Sequence, residues 1–112
     1  MSLNETILRE FFEYVLKGDY VKAKSLIEKF EGSSFSEYEM GYLNAMRGIA
    51  STIREGNSNV NHQLDENFIR IRILKFKEIL ELGNPMIDDY DKGFFECWMK
   101  FLRKALEYLE KS

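Results

Sequence analysis

The sequence predicts an all-α fold: a five-helix bundle of two duplicated αα-hairpins plus an N-terminal helix. Three observations lead there. Apolar residues recur at three- and four-residue spacing through most of the chain. One proline and seven glycines among 112 residues suit long helices joined by short turns. Two segments 52 positions apart also align without a gap.

The first helix should run from about Leu3 to Lys17. Ser2 and Glu5 have the spacing of a capping box, in which each side chain satisfies a free N–H of the other's turn. Ile7, Leu8, Phe11, Phe12, Val15 and Leu16 then share one face. Gly18 ends this helix and Asp19 caps the next, which carries Tyr20, Ala23, Leu26, Ile27 and Phe30 and stops near Gly32. The third helix opens on Ser36 with Glu39 as its capping partner. Its face is Tyr38, Tyr42, Ala45, Ile49 and Ile53, and it ends by Gly56.

Residues 55–63 are polar, rich in Asn and without periodicity, so they read as a mobile loop. From about Asp65 to Leu82 the pattern is ambiguous, because Ile69-Arg70-Ile71-Arg72-Ile73 alternates like a strand. No second candidate strand exists to pair with it, and a lone strand leaves its ladder groups unsatisfied. The segment is therefore read as a helix. Ile69, Ile73, Phe76 and Leu80 line one face, and Phe68, Ile71, Ile79 and Leu82 another. A helix apolar on two sides is expected at the centre of a fold. Gly83-Asn84-Pro85 then turns the chain, and Asp88 or Asp89 caps a fifth helix reaching about Lys111.

The internal repeat covers about residues 19–54 and 65–111 of a single domain, 1–112. Within it, residues 36–45 lie over 88–97, so that cap, acidic pair, Tyr, Gly, aromatic and small residue coincide. Gly41 and Gly93 each cost a helix on the order of 1 kcal/mol relative to Ala. A helix bears that where another backbone must come close. In the third helix Gly41, Ala45, Gly48 and Thr52 make a small-residue stripe suited to a tight crossing.

Tyr14, then Gly18-Asp19-Tyr20 and Ala23, stand in the order of a tetratricopeptide repeat, at the end of its first helix and the start of its second. This segment resembles that family, with departures. Phe35 replaces the closing proline, and Ile7, Glu10 and Phe11 occupy the positions of its first-helix Trp, Leu and Gly. The resemblance implies helical hairpins that bind protein or peptide. Residues 39–45 also look like helices of small archaeal proteins of unknown function, which implies a helical fold and no activity.

Composition narrows the function. A net charge of −3 argues against sequence-independent binding to nucleic acid, which needs a positive field. One cysteine, Cys97, fits a reducing compartment. No basic and apolar leader follows Met1, and no apolar run is long enough to span a bilayer, so a cytoplasmic protein without membrane contact is expected. His62, the single histidine, lies in the polar loop without partners at ligand spacing. Cys97 takes the place of Ala45 and reads as a small buried hydrophobe. Asp88, Asp89 and Asp91 read as a cap at a helix start. Neither an enzyme nor a cofactor or metal site is expected.

Two surfaces remain. The fifth helix shows Phe95, Trp98, Met99, Leu102, Leu106 and Leu109 on a second side. Either the first helix covers that face, or a second copy does across a twofold axis; the surplus of nine Phe and six Tyr favours a homo-oligomer. Arg70, Arg72, Lys75 and Lys77 are the one basic run for nucleic-acid contact, diluted by Glu66, Glu78 and Glu81. A protein or peptide partner is the expectation, and a nucleic-acid-associated regulatory role the alternative.

Overall fold

The computed structural model describes residues 5–30, 35–54, 66–82 and 87–111, with no account of the side chains at 52–54. Among them are five α-helices and no strand: α1 Glu5–Leu16, α2 Tyr20–Glu28, α3 Glu37–Arg54, α4 Glu66–Glu81 and α5 Asp89–Lys111. The expected Ser2 cap, the turn at Gly32, the loop 55–63 with His62, and Gly83-Asn84-Pro85 all lie outside the described residues. Ile69–Ile73 lies inside α4, so the strand-like alternation belongs to a helix.

Local chemistry sets the helix ends. Gly18 adopts φ 78°, which L side chains rarely do, and turns the chain out of α1. Its N–H donates to the Val15 carbonyl at 3.0 Å, and the Asp19 N–H to the Tyr14 carbonyl at 2.8 Å. Asp19 then starts α2 by accepting from the Lys22 N–H at 3.1 Å. At α3 the capping box closes in both directions. The Glu39 N–H donates to Ser36 Oγ at 3.2 Å and the Ser36 N–H to Glu39 Oε1 at 3.1 Å. Asp88 caps α5, accepting from the Asp91 N–H at 2.9 Å.

The interior is one apolar cluster. α1 contributes Leu8, Phe11, Phe12, Val15 and Leu16, and α2 Ala23, Leu26 and Ile27. α3 adds Tyr42, Leu43, Ala45, Met46, Ile49 and Ala50; α5 adds Cys97, Phe101, Leu102 and Ala105. The helix expected at the centre is not there. α3 and α5 share the most extensive interface, α4 packs mainly on α5, and α1 reaches both α3 and α5. Ile69 is the only fully buried side chain that α4 supplies among the described residues.

Two glycines explain why α3 takes the central place. A Cβ at Gly41 would run into the Tyr90 carbonyl, 2.8 Å from its carbon, and lie 3.1 Å from the Phe94 nitrogen. A Cβ at Gly93 would do the same to Tyr38, 2.9 Å from its carbonyl carbon and 3.2 Å from the Tyr42 nitrogen. The contact is reciprocal: each glycine meets the residues that stand 52 positions from its own neighbours. Backbone therefore packs on backbone at this crossing, a depth that no side chain larger than hydrogen permits. α4 has no glycine with which to make such a contact.

Candidate functional site

The second face of α5 is shared with α4. The Phe95 ring lies 5.5 Å from Phe76 of α4 and 5.8 Å from Phe94. Leu102 is 3% exposed, while Phe95, Met99, Leu106 and Leu109 are half-buried. Trp98 sets its edge on Phe101 at 6.1 Å, beside Gly48. Towards the end of α5, Arg70 Nη2 of α4 reaches Glu110 Oε1 at 2.8 Å. Of the apolar face expected to need a copy or α1, Phe95 meets α4.

The surplus moves outward by one helix. On the far side of α4, Phe68 is 42%, Ile71 54%, Leu74 62% and Leu82 79% exposed. Leu82 prolongs the helix, its N–H donating to the Glu78 carbonyl at 3.0 Å. The spacing of Phe68, Ile71 and Leu82 is visible in the sequence, and the structure adds Leu74, three residues past Ile71, to the same side. Several large apolar side chains thus stand exposed along one stripe of the helix.

The four basic residues of α4 do not act together. Arg70 is held by Glu66 and Glu110, each at 2.8 Å, and the hydrogen bond to Glu66 is the larger cause of its raised pKa. Lys77 sits 4.0 Å from Glu81. The Arg72 guanidinium lies 5.1 Å over the Phe68 ring. Lys75 is exposed and makes no ion pair among the described residues.

Two further clusters come from distant parts of the chain. At the junction of α1, α3 and α5, the Tyr38 hydroxyl donates to Glu96, and Lys100 pairs with Glu5 at 3.0 Å while lying 5.8 Å from the Tyr42 ring. The Tyr42 hydroxyl is buried without a hydrogen-bond partner among the described residues. Burial, first of all, pushes the phenols of Tyr38 and Tyr42 and the thiol of Cys97 well above their ordinary values. At neutral pH all three keep their protons.

Between α1 and α5 run two adjoining clefts of about 330 and 300 Å³ that share Lys104 and Glu107. Arg9, Lys17, Lys100, Arg103 and Lys111 line them together with Glu5 and Glu13. No local basic run in the sequence announces this groove, since its cations come from two helices at opposite ends of the chain. Among the described residues, no three His, Cys, Asp or Glu side chains gather to hold a metal ion, and no helix is long and apolar enough to cross a membrane. Comparison with protein-family models, with curated proteins and with solved structures finds no match to this chain.

Proposed function

We propose that this chain is a non-enzymatic, cytoplasmic helical module of tetratricopeptide-like build, which binds protein and forms a homo-oligomer. One observation carries the reading: α4 leaves Ile71, Leu74 and Leu82 open to solvent on one stripe. A monomer with no partner gains nothing from such a stripe and incurs an aggregation hazard. The reciprocal contact of Gly41 and Gly93 supports a duplicated hairpin origin, since each half repeats the other's close approach.

Light scattering at micromolar concentration, together with binding of an environment-sensitive apolar dye, tests the reading. The wild-type chain should bind dye and exceed the monomer mass, and Ile71→Glu should lose both properties. A strict monomer that binds no dye would contradict it.

Contact with a nucleic acid is the second reading. It is favoured by Arg72 and Lys75, which make no ion pair among the described residues, and by the cations of the α1–α5 groove. Salt-dependent binding to RNA or DNA would support it, and no shift at low salt would remove it.

A further inference from the structure

Phe68, Ile71, Lys75, Glu78 and Leu82 follow one another at alternating steps of three and four residues along the exposed side of α4. That is the spacing of a two-stranded helical seam. Its ends are apolar, and its middle carries one cation and one anion. Lys75 and Glu78 are both exposed, and neither makes an ion pair among the described residues. Leu74 flanks the seam, 62% exposed.

We infer that α4 pairs with α4 of a second copy of this chain, antiparallel, about a twofold axis that crosses the helix between residues 76 and 77. This rests on the reading of the protein as an interaction module and names the occupant of its open stripe. The charge pattern selects the direction. In the antiparallel pair Lys75 faces Glu78 of the second copy, and by symmetry Glu78 faces the second Lys75. Ile71 then meets the second Leu82, so both ends of the seam close on apolar contacts. In a parallel pair Lys75 would oppose Lys75 and Glu78 oppose Glu78, which like charges disfavour. The arrangement is isologous, as a closed twofold dimer requires, and uses the same patch on both copies.

The area sets the class of interface. A patch of this kind is on the order of 300–600 Å² on one subunit. Two such faces bury less than about 1,200 Å² in total, the range of transient complexes rather than obligate dimers. A face of this size suits a reversible rather than an obligate association, which measurement across the micromolar range can follow.

Sedimentation equilibrium of the full chain across the micromolar range tests it. The wild type should move from monomer to dimer. Lys75→Glu and Glu78→Lys each place like charges at both central contacts and should each weaken dimerisation by about tenfold or more. An equimolar mixture of these two variants should recover a heterodimer of about wild-type affinity, because every central contact is again opposite in sign. Unchanged far-UV circular dichroism keeps misfolding apart from loss of contact, since both positions are on the surface. A wild type that stays monomeric yet binds apolar dye overturns the self-pairing and leaves the interaction module standing. A dimer indifferent to both single substitutions overturns it by placing the interface elsewhere.

Discussion

α3 and α4 both pack along α5, at different depths. α3 approaches until the backbone at Gly41 meets the backbone at Tyr90, and Gly93 meets Tyr38 in return. α4 is held off by rings, Phe76 against Phe95 at 5.5 Å, and by the Arg70–Glu110 pair at the far end. α3 consequently buries six side chains or more in the core, whereas α4 buries Ile69 and leaves its other apolar side open. The number of apolar faces does not decide which helix is central. Small residues at the crossing do, because they set how near two axes come.

The largest effect should come from filling the deep crossing. Gly41→Ala and Gly93→Ala each drive a Cβ into backbone that has nowhere to go, and each should cost about 3 kcal/mol or more in chemical denaturation. Gly48→Ala, whose Cβ would meet only a Trp98 ring carbon at an ordinary 3.6 Å, should instead be neutral or stabilise by up to about 1 kcal/mol. Equal costs at all three glycines would erase the distinction drawn between the two contacts.

Next come the two sides of α4. Ile69→Ala opens a cavity under the helix and should cost about 2–4 kcal/mol. Leu74→Ala on the far side should stay within about 0.5 kcal/mol in the monomer. Similar losses at both positions would mean that the outer stripe is covered within the subunit.

A smaller gain is expected inside the α3–α5 interface. Tyr42 buries a hydroxyl with no partner among the described residues, and the residue 52 positions on is Phe94. Tyr42→Phe keeps the ring and removes the orphan group, so thermal unfolding should show stabilisation of about 1 kcal/mol. Alkaline titration supplies the gentlest test. Tyr42 and Cys97 hold their protons more tightly folded than unfolded, through burial. Their contribution is complete below the unfolded values, about 8.5 for a thiol and 10 for a phenol, and is lost as pH climbs past them. Stability should fall above that range, and fall less from the phenol in Tyr42→Phe.

Much of this was legible in the residues. Asp19, Ser36 with Glu39, and Asp88 announce their helix starts because capping is local chemistry that needs no tertiary partner. Gly41 and Gly93 stand out because a helix does not accept glycine without return. The two faces of α4 were equally plain, yet their fates were not, for periodicity reports which side chains share a side and not what lies beyond it. Hence α4 was expected at the centre, and the second face of α5 was expected to meet α1 or a second copy. Phe76 of α4 meets Phe95 of that face, a contact that local pattern does not assign. The α1–α5 groove was illegible for another reason: Arg9 and Arg103 become neighbours only once the chain has folded.

The openness of α4's outer side can be measured by placing a thiol on it. In Leu74→Cys, held dilute enough to be monomeric, two cysteines compete for a thiol reagent, and Cys97 is buried. One equivalent should react at the rate of a free thiol, and the second only as the protein unfolds. A native chain that protects Cys97 and the introduced thiol alike would contradict the account.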